Sequence, residues 1–313
     1  MASRIVFSVK AKTIMNSPKE ILSYYAIKPR KNLGQSFLMD QNVIEQIASI
    51  AHVTKNDIVV EIGAGIGVLT ELLAQNAARL IAVELDNKLV KVLEDRLSKY
   101  NNVKIYHENI LRFDFRAVVG TGNQKIKVVG NIPYNISSPL LFRLLSFRNI
   151  IDSFVLMMQK EVIQRLAAVP GGKEYGVPSV ILQMFTHVEK MMDVPASNFY
   201  PRPQVDSSVM KGSFLEKPVV ELAEEAFFIK LVRDSFAQRR KMLINNLKRS
   251  KLMEDVEESL LKEALMLAGI DGQRRAETLS VEEFGNLSNI LKYRSIKPFF
   301  KRYNCGWITL EQF

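Results

Sequence analysis

Asp57-Ile58-Val59-Val60-Glu61-Ile62-Gly63-Ala64-Gly65-Ile66-Gly67 decides how the rest of the chain is read. Asp57 to Ile62 has the β-branched, apolar composition of a strand buried on both faces, and the run ends at Gly63. The G-x-G-x-G turn that follows lets the backbone bend tightly and approach a ligand closely. The next apolar-periodic stretch, Val68 to Ala74, is a helix whose first amide N–H groups point back at that turn. Strand, glycine turn and helix in this order start a nucleotide-type binding unit.

Moving outward, strands and helices alternate. Arg79 to Val83 is a second strand ending in Glu84-Leu85-Asp86, followed by a helix from Asn87 to Ser98 with Leu89, Val90, Leu93 and Leu97 on one face. Val103 to Tyr106 is a third strand, ending at Glu108-Asn109, and Ile126 to Val129 a fourth. This alternation predicts a doubly wound, Rossmann-like parallel sheet of α/β class, with ligands beyond the carboxyl ends of its strands. A lone glycine turn is shared by NAD enzymes, flavoproteins and methyltransferases. The preceding Glu61 and the departure from G-x-G-x-x-G spacing favour the methyltransferase variant, because S-adenosylmethionine has no pyrophosphate to cradle. Glu84 then sits where an acid accepts hydrogen bonds from ribose hydroxyls, and Asn109 where a polar group reads the cofactor adenine. Their bland alternatives are a surface acid on a strand-to-helix loop and an ordinary Asn turn.

At the end of the fourth strand stands Asn131-Ile132-Pro133-Tyr134. Asn offers a carbonyl acceptor and an amide donor, Pro a carbonyl without an N–H, and Tyr a flat face. Two acceptors and a ring suffice to hold an exocyclic amino group and stack its base. The same residues also make a plain strand-to-turn exit.

The rest of the chain bounds these readings. Length of 313 residues leaves ample core for one large or two smaller domains. No run reaches the ~18–20 apolar residues of a membrane span. Cys305 is the sole cysteine, and His52, His107 and His187 are not at ligand spacing, so no disulfide and no metal site is expected. A net charge of +10, from 43 Lys and Arg against 33 Asp and Glu, suits a polyanionic partner. The excess is concentrated: seven basic residues and only Glu20 lie in Met1–Gly34, and no acid falls between Asp234 and Glu254. Arg4, Lys10 and Lys12 leave a mitochondrial presequence open for Met1–Ile14, with Met15 as an alternative start; a cytoplasmic location is otherwise expected.

Asp40 is the expected N-cap of an amphipathic helix to Ala51, after the basic loop Lys28 to Leu38. Ser138 to Leu145 reads as helix, Phe154 to Gln159 as strand, Glu161 to Ala168 as helix, and an apolar helix runs from Val177 to about Phe185. Ser208 to Phe214 is a late strand, after the proline-fixed loop Ser197 to Pro203. From about Val219 only helices follow, to Tyr293. The expected division is an N-terminal basic extension 1–30, a methyltransferase domain 31–215, a helical RNA-binding domain 216–293 and a basic tail 294–313. Within the helical part, Gln238-Arg239-Arg240-Lys241 is expected on a helix with Phe236, Leu243, Ile244 and Leu247 as its apolar face. Arg239, Arg240 and Lys241 then point toward phosphates, or merely solubilise that face.

Taken together, these motifs resemble the KsgA-type ribosomal RNA adenine dimethyltransferases. The resemblance runs from about Lys31 to Tyr293 through L-G-Q-S-F-L (33–38), E-I-G-A-G-I-G-V-L-T (61–70), E-L-D (84–86), N-I-P-Y-N-I-S-S-P-L (131–140), Q-K-E-V (159–162), F-Y-P-R-P-Q-V-D-S (199–207) and Q-R-R-K (238–241). It implies S-adenosylmethionine as cofactor, held by Ser36, Leu38, Gly63, Gly65, Glu84, Asn109 and Asn131. It implies that Asn131 and the Pro133 carbonyl hold the target N6 amino group, with Tyr134 on one face of the adenine and Phe199 on the other. The implied substrate is the small ribosomal subunit and its rRNA, with two adjacent adenines of the 3′-terminal hairpin loop each dimethylated, by a monomer that needs no membrane. Ser36 stands where the family usually has Asn, and Asn109 where it usually has Asp; altered cofactor affinity without loss of activity is expected. The competing readings are a resistance-type enzyme acting on large-subunit rRNA, a DNA adenine methyltransferase, and a non-catalytic RNA-binding assembly or transcription factor.

Overall fold

The computed structural model describes residues 17–30, 33–119, 124–254 and 256–301, the last eight by backbone alone. The possible presequence, Met15, Lys31, Cys305 and the end of the basic tail lie outside the described residues.

In chain order the elements are α1 (Pro18–Tyr24), β1 (Phe37–Leu38), α2 (Gln41–Ile50), β2 (Ile58–Ile62), α3 (Val68–Asn76), β3 (Arg79–Glu84), α4 (Asn87–Leu97), β4 (Val103–His107), β5 (Ile126–Asn131), α5 (Ser137–Ser146), β6 (Ile151–Gln159), α6 (Lys160–Leu166), α7 (Val177–Gln183), β7 (Thr186–Val194), β8 (Phe199–Tyr200), β9 (Ser207–Phe214), α8 (Glu225–Ser235), α9 (Leu243–Lys248), α10 (Glu258–Leu267) and α11 (Val281–Lys301). A seven-stranded sheet has the order β4-β3-β2-β5-β6-β9-β7. Two compact units divide the chain. The first comprises the residues up to Leu140 with Val155–Met158 and Asp193–Ser207; the second takes Leu141–Phe154, Gln159–Met192 and everything from Ser208 on.

In the first unit β2 is central and buried along its whole length, with β3 and β5 parallel to it on either side. The expected strands and their parallel pairing are thus present. Register is what builds the site. Ile62 pairs with Val83 and with Gly130, so the next residues, Glu84 and Asn131, flank Gly63 where β2 turns out of the sheet. Gly130 has to be glycine for this: a Cβ there would lie 2.7 Å from the Ile62 carbonyl oxygen. Asp40 caps α2 by accepting from the Asn42 and Val43 N–H groups at 2.9 and 3.3 Å. The segment expected as an extension supplies α1, opened by a Ser17–Glu20 capping box and Pro18. Its Ile21 and Leu22 are buried with Phe37, Ile66, Leu89 and Val92.

After residue 219, where only helices were expected, the second unit contains α8 to α11, and α11 continues eight residues past Tyr293. One expectation is corrected here. Gln238–Lys241 is not on a helix but in the turn between α8 and α9. Asn246, itself 4% exposed, donates its amide to the carbonyls of Ser235 and Gln238 at 2.7 and 3.1 Å. The carbonyls left over where α8 stops therefore find partners without another helical turn. At the start of α9 the N–H groups of Leu243 and Ile244 donate to Arg274 and Gly272.

Candidate active site

The carboxyl ends of β2, β3, β4 and β5 open into a cavity of about 320 Å³ whose lining residues all belong to the first unit. Every residue expected in the cofactor and adenine sites lines it: Ser36, Leu38, Gly63, Gly65, Glu84, Asn109, Asn131, Pro133, Tyr134 and Phe199. Gly63 and Gly65 have φ of +67° and +59°, which a side chain would strain. Their turn leaves the Gly65 N–H directed at Glu84 Oε2, 2.9 Å away. The Leu85 and Asp86 N–H groups donate to Glu84 Oε1, both at 2.9 Å. Burial raises the Glu84 pKa, and these three N–H donors oppose the rise.

Asn131 is the last residue of β5, and its side-chain orientation follows from one contact. Its Nδ2 donates to the Ser36 backbone carbonyl at 3.1 Å. A carbonyl can only accept, so the amide nitrogen must face Ser36 and Oδ1 is left as the acceptor. The Pro133 carbonyl already accepts from the Ile136 N–H at 3.1 Å, leaving its second lone pair. The Tyr134 and Ser207 hydroxyls are 3.0 Å apart, which fixes the tyrosine ring in its plane. Phe199 is 5% exposed and sits in β8, paired antiparallel with Leu38.

The two departures from the family pattern have visible consequences. The Ser36 hydroxyl donates to the Pro201 carbonyl at 2.7 Å, tying the loop before β1 to the chain after β8. Asn109 Oδ1 accepts from the Leu111 N–H at 2.9 Å, closing a turn over its own loop. Its amide nitrogen and the second lone pair of Oδ1 are then what Asn109 has to offer a ligand.

Glu61 was read only as a hint of class, and the structure gives it more. It lines the cavity, is 2% exposed, and its Oε2 has no hydrogen-bond partner among the described residues. Burial first, then the nearby Glu84 charge, pushes its pKa up to about 8. Thr70, buried beside it, eases this shift but makes no hydrogen bond of ordinary geometry. A carboxyl oxygen without a partner among the described residues, in a cavity that also holds the buried acid Glu84 and a glycine turn, fits a nucleoside with a cationic tail, as S-adenosylmethionine is. Among the described residues no His, Cys, Asp and Glu group could hold a metal ion.

Arg239, Arg240 and Lys241 belong to the second unit. Arg239 is engaged there: its Nε lies 2.7 Å from Glu277, and its Nη2 donates to the Lys173 carbonyl. Arg240 and Lys241 are exposed.

Comparison with known proteins identifies the family of the chain. The ribosomal RNA adenine dimethylase family profile matches residues 26–292. A ribosomal RNA small subunit methyltransferase A from Syntrophus aciditrophicus is 43% identical over 89% of this chain and all of that protein. One of the same name from Bacillus mycoides is 44% identical over 88% and 96%. Among solved structures, a dimethyladenosine transferase from Plasmodium falciparum superposes with a TM-score of 0.69 at 27% identity, over 83% of this chain and 98% of that one. The 23S rRNA methyltransferase ErmE gives 0.64 at 25% identity, over 82% and 99%. The family profile over most of the chain and the 43–44% identity to these relatives lead to one conclusion: this chain belongs to the ribosomal RNA adenine dimethylases.

Proposed function

We propose that the protein transfers two methyl groups from S-adenosylmethionine to N6 of each of two adjacent adenines in the 3′-terminal hairpin loop of small-subunit rRNA, in ribosome biogenesis. The observation that carries this is Asn131, whose amide is turned by the Ser36 carbonyl so that Oδ1 is the acceptor. Glu84, the Gly63–Gly65 turn, Asn109, Ser36 and Leu38 are assigned to the cofactor, which when bound supplies an electrophilic sulfonium methyl. Asn131 Oδ1 and the remaining lone pair of the Pro133 carbonyl accept the two N6 hydrogens. An adenine amino group is a poor nucleophile because its lone pair is conjugated with the ring; two acceptors favour a pyramidal nitrogen with that pair localised. A methylated N6 would be cationic and therefore acidic, so its proton would pass to water without a strong base. Neutral Asn131 is sufficient. Tyr134 and Phe199 hold the base by its faces, and a looped, single-stranded target makes taking it out of its stack inexpensive.

The helical part, 216–293, is assigned to RNA, with the methyltransferase part at 31–215 and the protein acting as a monomer in the cytoplasm. No helix among the described residues is long and apolar enough to cross a membrane. Exposed Arg240 and Lys241 are the phosphate contacts in this reading, and Arg239 mainly shapes the turn that presents them. The paired Arg240→Ala, Lys241→Ala variant is expected to lower the slope of log K against log salt by roughly one to two. An unchanged slope would remove these residues from the RNA site.

The test of function is methyl transfer from labelled S-adenosylmethionine to unmethylated small ribosomal subunits, beside large subunits and naked rRNA. Dimethyladenosine confined to small subunits is expected. Transfer to large-subunit rRNA would favour the reading that the likeness to ErmE raises, and binding without transfer that of an assembly factor. The higher identity to the small-subunit enzymes, 43–44% over 96–100% of their length, favours the first outcome.

A further inference from the structure

We propose that Gln35 is a positioning residue for the transfer step: clamped on Asp86, it holds the Ser36 carbonyl where it orients the Asn131 amide. The proposal rests on the reading of Asn131 given above and adds to it the part of the chain that sets its orientation.

Asp86 stands immediately beyond the β3 end that carries Glu84, is 3% exposed, and uses Oδ1 to cap α4 through the Lys88 N–H at 2.9 Å. Its Oδ2 is directed at the loop before β1. It accepts from Gln35 Nε2 at 3.0 Å and lies 3.3 Å from Arg30 Nε. The other end of the Gln35 amide is used as well: Oε1 accepts from the Arg30 N–H at 2.8 Å, and the Gln35 N–H donates to the Arg30 carbonyl at 3.3 Å. Both polar atoms of this side chain are therefore committed, one to its own loop and one to the strand end beside the cofactor acid. The next residue along is Ser36, whose carbonyl meets Asn131 Nδ2 at 3.1 Å and whose hydroxyl is held by Pro201 at 2.7 Å. A line of hydrogen bonds and one peptide unit thus runs from Asp86 through Gln35 and Ser36 to Asn131.

The line matters because an amide is nearly symmetric in shape. Without a fixed acceptor at Ser36, the Asn131 group can rotate by half a turn and present Nδ2, a donor, to an amino group that offers only donors. Gln35 makes none of the contacts of chemistry itself; it acts through the Ser36 carbonyl. Its companion Asp86 is the fixed point because it is buried and anchored by the N-terminus of α4. Arg30, whose side chain is 44% exposed, adds charge to the clamp but has the looser hold.

The experiment uses a reversal of polarity. Gln35→Glu keeps the acceptor for the Arg30 N–H but sets a carboxylate against Asp86, and should displace the loop. The paired Gln35→Glu, Asp86→Asn variant restores a hydrogen bond in the opposite sense, since Asn can still cap α4 with its oxygen and donate with its nitrogen. Expected for Gln35→Glu is a fall in kcat of about ten- to a hundredfold, the scale on which misplaced groups cost rate. S-adenosylmethionine affinity by calorimetry should stay within about threefold, and the paired variant should regain most of the lost kcat. In amide-resolved NMR, the Asn131 side-chain NH2 signal, identified by its absence in Asn131→Ala, should exchange faster with solvent in Gln35→Glu and recover in the pair. Gln35→Met, which keeps the volume and loses both hydrogen bonds, should reproduce the kcat loss and serves if the paired variant does not fold. Wild-type kcat in both single variants would overturn the proposal, as would a loss shared equally by cofactor affinity and thermal stability. Asn131→Ala in the same assay separates the two claims: if it retains transfer, it is the reading of Asn131 that falls.

Discussion

Asn131→Ala is expected to lose methyl transfer by on the order of a thousandfold or more, the scale of removing a fixed group aimed at a reacting centre. The loss should fall on kcat. Asn131 also borders the cavity proposed for the cofactor, so a modest weakening of S-adenosylmethionine binding accompanies it, while Glu84 and the Gly63–Gly65 turn, assigned above to the cofactor, are untouched. Asn131→Asp is the more informative partner. A carboxylate is a good acceptor for the target amino group, but it has no donor for the Ser36 carbonyl that now receives Nδ2 at 3.1 Å. Two acceptors would face each other in a half-buried site, and the side chain would turn away or the loop would move. Aspartate is therefore expected to recover only part of the activity lost in alanine. Single-turnover transfer to small subunits, with cofactor affinity measured separately, checks both variants. A kcat within about threefold of wild type in Asn131→Ala would exclude the amide from the chemistry.

Why some of this was legible in the sequence and some was not has physical reasons. The sheet was legible because β2, β3 and β5 are buried strands, where apolar, mostly β-branched runs are unavoidable, and because each ends in a polar or glycine residue that the fold needs there. β7 was not. Thr186–Val194 is an edge strand whose residues are mostly exposed or half-buried, and His187, Glu189, Lys190 and Asp193 give it no strand-like alternation. The helix expected through Gln238–Lys241 failed for the opposite reason. The spacing of Phe236, Leu243, Ile244 and Leu247 satisfies a helical period, yet a new helix starting at Leu243 satisfies it equally. What breaks the helix is a tertiary contact, the Asn246 amide on the carbonyls of Ser235 and Gln238. In the site, motif positions gave the list of residues but not their hydrogen-bond roles. Ser36 works through its backbone carbonyl toward Asn131, and Asn109 turns its carbonyl back to Leu111; neither is visible in residue type. Glu61 could have been flagged, because an acid inside an otherwise apolar strand either finds a partner or waits for one.

That waiting acid supplies a second large effect, seen in protons rather than in rate. Glu61 is buried, has an oxygen without a partner among the described residues, and has a pKa pushed up to about 8 by burial and by Glu84. At pH 7 the ligand-free protein therefore holds it mainly in the neutral form. S-adenosylmethionine brings a sulfonium and an ammonium against one carboxylate, and added positive charge in the cavity favours ionised Glu61. Binding near pH 7 should release close to one proton, read from calorimetry in buffers of different ionisation enthalpy. Glu61→Gln should abolish the release and weaken cofactor binding by about tenfold or more, as loss of an opposite charge in a buried site implies. Stability moves the other way, and its sign follows from the direction of the shift. The folded pKa is raised above the ordinary 4.5 of the unfolded chain. As pH climbs from there toward about 8, the unfolded chain ionises while the folded protein keeps its proton, so stability is lost across that window. Glu61→Gln, which cannot ionise, should be more stable than the wild type without ligand at pH 8, with the advantage gone at pH 4. Thermal unfolding at the two pH values tests this independently of catalysis. A difference that does not depend on pH, together with no proton release on binding, would mean that Glu61 is already ionised in the free protein and holds its charge by other means.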